Sequence, residues 1–194
     1  MTGSSERLKR LHPVRLPATL LLLAAVAAHG QEPRIEVRHA FTQLIDDVYY
    51  LFARVDYELS EEAVDVLRMG VVLTLRLEIE VFRERRFWAD DEAAALEQVY
   101  KLQFHALSQR YIVQNVNSGD QISVASLKAA TRLFGPIEGL PLLDATLLDP
   151  DERYEVRMRA TLQTGSVPWA LRLLGFFWDD SRISSEWYTW ALQR

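Results

Sequence analysis

Apolar and polar side chains alternate most regularly over residues 71–81, where Val71, Leu73, Leu75, Leu77, Ile79 and Val81 are separated by Val72, Thr74, Arg76, Glu78 and Glu80. Successive side chains of a strand point to opposite faces, so a period of two puts six apolar groups on one side and Arg76, Glu78 and Glu80 on the other. The spacing predicts a half-buried strand. The rhythm returns over residues 154–162, with Tyr154, Val156, Met158, Ala160 and Leu162 inward and Glu155, Arg157, Arg159 and Thr161 outward. Weaker alternation through Tyr49, Leu51, Ala53, Val55 and Tyr57, and through Tyr100, Leu102, Phe104 and Ala106, predicts two further strands.

Helical signals are fewer. Ser60 is placed to cap a helix over residues 61–69, with Glu61 and Glu62 in the first turn where the helix dipole favours acid, and Gly70 at its end. A second helix is predicted over residues 123–134, with Val124, Leu127, Ala130 and Phe134 on one side and Gly135-Pro136 after it. Ala93, Ala94, Ala95 and Leu96 predict one more helical turn before the Tyr100 strand. Turns are expected at residues 117–119, 149–150 and 165–168.

One polar and one apolar face is how antiparallel sheets read, because parallel sheets covered on both sides give continuous apolar runs. The expected fold is therefore mainly β (α+β): one antiparallel domain over residues 31–194, a sandwich or a curved sheet, with two short helices.

Residues 1–30 stand apart from this pattern. Arg7, Lys9, Arg10 and Arg15 precede an apolar run over residues 16–28 centred on Leu20, Leu21, Leu22 and Leu23. That is the layout of a signal peptide, with small residues placing the cut after Ala28 or after Gly30. The run of 13 residues is shorter than the roughly 20 that span a bilayer. A soluble periplasmic product is expected, with membrane contact at most peripheral.

Export changes how charge is read. The whole chain carries −5 and residues 1–30 carry +3, leaving −8 for the remainder. An acidic domain repels phosphate backbones, so nucleic acid is not an expected partner. Cys is absent, which removes disulfides, thiol catalysis and thiolate metal sites.

Little catalytic chemistry remains. No Gly-x-Ser-x-Gly elbow or His-Glu-x-x-His pair occurs, and outside residues 1–30 the histidines are His39 and His105. Carboxylates cluster at Asp46 with Asp47, at residues 90–92, at residues 149–152 and at Asp179 with Asp180. Asp favours such places because it bonds nearby backbone N–H groups, and none of the clusters has calcium-loop spacing. Arg83, Arg85 and Arg86, followed by Phe87 and Trp88, form the candidate interaction surface, since planar guanidinium groups beside aromatics suit anions or protein partners. Trp169, Phe176, Phe177, Trp178, Trp187, Tyr188 and Trp190 crowd the C-terminal part and are expected to close a core that lacks disulfides.

The order of these features resembles a bacterial family of exported proteins, domain of unknown function 4390. The resemblance spans roughly residues 35–190. It rests on Leu67-Arg68-Met69-Gly70 running into the 71–81 strand, then Arg83, Arg86, Phe87, Trp88, Asp90 and Asp91. It continues through Tyr100-Lys101-Leu102, residues 105–111, residues 126–130, residues 154–159, Trp178, Ser185, Trp187 and Trp190. At Leu162-Gln163 and Val167-Pro168 the chain departs from the family's Leu-Asp and Leu-Pro. The resemblance brings no catalytic residue and no cofactor; it implies genes lying beside a membrane sensor kinase, hence a link to envelope signalling.

Three functions are expected in descending order. The first is a non-enzymatic interaction module that touches an envelope or membrane sensor protein. The second is an apolar-ligand or lipid-binding β domain, since a sheet lined by large side chains can open a cavity. An enzyme built on His105 and a carboxylate comes last.

Overall fold

The computed structural model describes residues 34–85, 91–165 and 182–193. In chain order these form β1 (Arg34–Ile45), β2 (Val48–Glu58), α1 (Glu61–Arg68), β3 (Leu73–Arg83), β4 (Asp91–His105), β5 (Arg110–Asn115), β6 (Gln121–Val124), α2 (Leu127–Phe134), β7 (Pro136–Asp144), β8 (Tyr154–Thr164), β9 (Arg182–Ser184) and β10 (Tyr188–Ala191). A 3₁₀ turn, Ala145–Leu147, follows β7. Every strand pair is antiparallel.

The strands build two sheets. One has the order β1-β2-β7; the other runs β10-β8-β3-β4-β5-β6, with β9 also on β8. The result is an α+β sandwich, not closed into a barrel. Leu73, Leu75, Leu77, Ile79 and Val81 of β3 and Val156, Met158, Ala160 and Leu162 of β8 are buried. They join Tyr49, Leu51, Ala53 and Val55 of β2 in one apolar cluster.

The outer face of the larger sheet is wet but tied together. Glu78 pairs with Arg159 and with Arg182, Glu80 with Arg157 and Arg76 with Glu97, so neighbouring strands are stitched by opposite charges. Arg157 lies over the rings of Phe82 and Trp187, at 4.2 and 4.6 Å, and Arg159 lies 4.5 Å from the Trp187 ring. Trp187 thus pins the approach to β10 onto β8 by two cation–π contacts.

The helices begin where serine can accept a hydrogen bond. Ser60 Oγ takes the Ala63 N–H at 3.2 Å, and Ser126 Oγ takes the Ala129 N–H at the same distance. Gly70, at φ +92°, supplies the left-handed turn that ends α1. Ser60→Ala is expected to lower stability by about 1 kcal/mol, read as a lower urea midpoint with an unchanged slope.

Two expectations are corrected. Residues 93–96 are not helical: they lie within β4, where Ala94, Ala95 and Leu96 pair with Val81, Glu80 and Ile79. A long, strongly periodic neighbour outweighs the helix preference of three alanines. The second helix also starts later than expected, because Gln121–Val124 pairs with β5 as β6 and Ser126 is the cap. Pro136 ends α2 as expected and then opens β7, an edge strand that tolerates its missing N–H. The turn expected at residues 165–168 lies outside the described residues beyond Gly165.

Candidate functional site

Arg83 closes β3 directly opposite Asp91, the first residue of β4. Its Nη2 meets Asp91 Oδ2 at 2.6 Å, and Arg85 Nη2 meets the same oxygen at 2.7 Å. One exposed carboxylate therefore holds two guanidinium groups side by side. Each pair is worth no more than about 1 kcal/mol in water, so its effect is to orient charge rather than to stabilise the fold. Arg86, Phe87 and Trp88, the remainder of the expected surface, lie outside the described residues.

The backbone beyond Arg83 is fixed as well. Glu84 N–H donates to the Arg153 carbonyl at 2.9 Å, and Leu192 N–H donates to the Tyr154 carbonyl at 2.9 Å. The turn between them is built by Asp149, whose Oδ1 accepts the Asp151 N–H at 3.0 Å, while its own N–H donates to the Tyr154 hydroxyl at 3.1 Å. These bonds frame a cleft of about 350 Å³ at one end of the sandwich. Tyr49, Leu148, Tyr154 and Leu192 give it apolar walls, and Glu84, Asp151, Glu152 and Arg153 surround its mouth. Those four charged side chains form no ion pair among the described residues. The cleft and the Arg83–Asp91–Arg85 group share the chain at residues 83–85, so one end of the molecule combines an apolar recess with charge of both signs.

The other candidates fall elsewhere. His105 is exposed at the end of β4, and its Nδ1 shares a 2.8 Å hydrogen bond with Ser108 Oγ. Asp46 and Asp47 occupy the β1–β2 turn at φ +48° and +63°, a conformation that short polar side chains tolerate. Among the described residues no group of three or more His, Asp or Glu is placed to hold a metal ion, and no helix is long and apolar enough to cross a membrane. Asp90, Asp179 and Asp180 lie outside the described residues.

The C-terminal aromatics divide. Tyr188 and Trp190 pack against the core, with Trp190 Nε1 donating to Thr42 Oγ1 of β1 at 3.3 Å, whereas Trp187 lies on the outer face. Trp169, Phe176, Phe177 and Trp178 lie outside the described residues. The Tyr57 hydroxyl is buried with no hydrogen-bond partner among the described residues, and burial, then Tyr100, pushes its pKa up. Sequence patterning placed Tyr57 on a strand but marked neither its buried hydroxyl nor the cleft, whose walls come from β2, β8, β10 and two turns far apart in the chain.

The family model described as domain of unknown function, DUF4390, matches residues 32–191. The chain belongs to the DUF4390 family. No curated protein and no solved structure matches it. The DUF4390 match includes both sheets, the Arg83–Asp91–Arg85 group and every residue lining the cleft except Leu192, so nearly all of the candidate site lies within the matched part.

Proposed function

We propose that this DUF4390 domain is a non-enzymatic interaction module that works in the periplasm after removal of residues 1–30. Its partner is an envelope protein, the periplasmic part of a membrane sensor being the first to test. The observation that carries the reading is the charged end of the sandwich, where Asp91 presents Arg83 and Arg85 beside a preformed apolar recess rimmed by Glu84, Asp151, Glu152 and Arg153. A partner segment that fills the recess desolvates apolar walls, while charges of both signs at the mouth select its orientation. The filled interior between the sheets, where Leu51, Leu77 and Met158 are wholly buried, supports this reading over an apolar-ligand carrier.

The test is affinity purification from a crosslinked envelope extract, with cell fractionation alongside. The processed chain is expected outside the cytoplasm with one dominant membrane-protein adduct, reduced at least tenfold by Arg83→Glu with Arg85→Glu. Recovery of the processed chain alone, or an adduct indifferent to that double change, would count against the reading. Asp91→Asn should weaken the adduct less than the double reversal, since it loosens the guanidinium groups without removing them; titration of adduct yield against crosslinker checks this order.

A further inference from the structure

The net charge of the domain is gathered at the end that holds the cleft. A boundary through the Val81–Val156 row of the larger sheet and the Tyr50–Gln43 row of the smaller divides the described residues in two. On the cleft side stand ten carboxylates against three arginines, Arg83, Arg85 and Arg153; on the far side Asp and Glu balance Lys and Arg, twelve to twelve. The whole surplus of seven negative charges among the described residues therefore sits at one end. Charge of one sign around a low-dielectric recess focuses its field there and attracts the opposite sign.

The charges are not spread evenly around the recess. Arg83 and Arg85, gathered on Asp91, lie on its β4 side. On another side stands the tip of the smaller sheet. The Asp47 carbonyl accepts the Ala145 N–H at 2.7 Å and the Ala145 carbonyl accepts the Leu148 N–H at 3.1 Å, which sets the β1–β2 turn against the Leu148 wall. Asp46, Asp47 and Asp144 are exposed there, as Asp151 and Glu152 are at the mouth, and none of the five is in an ion pair among the described residues. Hydrogen bonds from Thr146, side chain first and then backbone, hold the Asp144 carboxyl below its usual range, so it is charged at neutral pH. Leu147, next to the Leu148 wall, is 75% exposed and gives this side an apolar lip.

We propose that the partner segment this recess accepts is basic with an apolar centre. Aliphatic or aromatic side chains enter beside Leu148, Tyr154 and Leu192, lysines or arginines next to them meet Asp151, Glu152 and the Asp46–Asp47 tip, and one carboxylate at the segment's other end meets Arg83 and Arg85. The inference rests on the charged-end reading and adds the chemistry of the partner. At about 350 Å³ the recess stands at the lower end of the roughly 300–1,000 Å³ that ligand pockets span, so it takes the side chains of a segment rather than a folded surface. An acidic segment would set like charges against the rim, and a neutral one would desolvate the rim carboxylates without pairing them.

Three synthetic dodecapeptides titrated into the isotope-labelled processed chain, followed by nuclear magnetic resonance, test the proposal. Each has two leucines at its centre; one carries lysines on one flank and a glutamate on the other, one carries glutamates on both flanks, and one carries serines on both. The first should bind at least tenfold more tightly than the other two while moving the amide resonances of Leu148, Tyr154 and Leu192, and about 0.5 M salt should remove most of that difference. Asp151→Asn with Glu152→Gln should weaken it at least threefold, and so should Asp46→Asn with Asp47→Asn, in which Asn tolerates the turn's positive φ. Unchanged thermal midpoints keep loss of folding apart from loss of binding. Equal binding of the three peptides, no response to the first at about 1 mM, shifts confined to residues away from the cleft, or indifference to Asp151→Asn with Glu152→Gln would overturn the proposal. Binding of the lysine peptide at the cleft with no envelope-protein adduct in cells would overturn the envelope partner and leave this inference standing; an adduct in cells with equal binding of the three peptides would do the reverse.

Discussion

Leu77→Ala should cost about 2–5 kcal/mol of folding stability, the largest loss expected of any single truncation considered. Leu77 is 0% exposed at the middle of β3, between Gln98 of β4 and Ala160 of β8. Strands on both sides hold the backbone in place, so the cavity left by three missing carbon atoms has little freedom to collapse. Arg76→Ala, one residue earlier, removes an exposed pair with Glu97 and should cost about 1 kcal/mol or less. Urea denaturation of both variants measures the contrast. Equal losses would contradict a β3 with one face in the core and the other in water.

Gly135→Ala should be nearly as damaging, at about 1–3 kcal/mol, although it adds only a methyl group. A Cβ at this position would stand 2.9 Å from the Val55 carbonyl oxygen and 3.0 Å from that of Thr131. Both obstacles are backbone, so neither can swing aside. The Gly135 carbonyl also accepts the Val55 N–H at 2.8 Å, which ties the end of α2 to β2. Relief of the clash must therefore move the helix away from the sheet. The expected result is a lower thermal midpoint; a midpoint within 1 °C of the parent would show that α2 does not pack against β2 as described.

The strongest strands were legible because each has one dry face and one wet face. Residues 71–81 and 154–162 kept their inward sets, shifted by two residues at the start of β3 and extended by two at the end of β8. β1 and β7 were not legible. A bulge near Arg38 breaks the period of β1, and two more interrupt the pairing of β7. In β2 the signal was present in a form that invites misreading: Tyr49, Tyr50, Leu51 and Phe52 are apolar in succession because both faces of the strand are apolar there.

The candidate site was half legible. Arginines at a strand end followed by aromatics made Arg83 and Arg85 candidates, and the structure adds the carboxylate that gathers them, Asp91. The recess beside them depends on Glu84 bonding to Arg153 and Leu192 bonding to Tyr154, contacts across long stretches of chain that no local pattern encodes.

If the charged end is where a partner docks, a photo-crosslinking side chain placed at Glu84 in living cells should yield one envelope-protein adduct, and Arg83→Glu with Arg85→Glu should remove it. The same probe placed at Thr74, on the outer face of β3, should yield none. Equal adducts from the two positions, or none from Glu84 while the exported chain is present, would contradict the account.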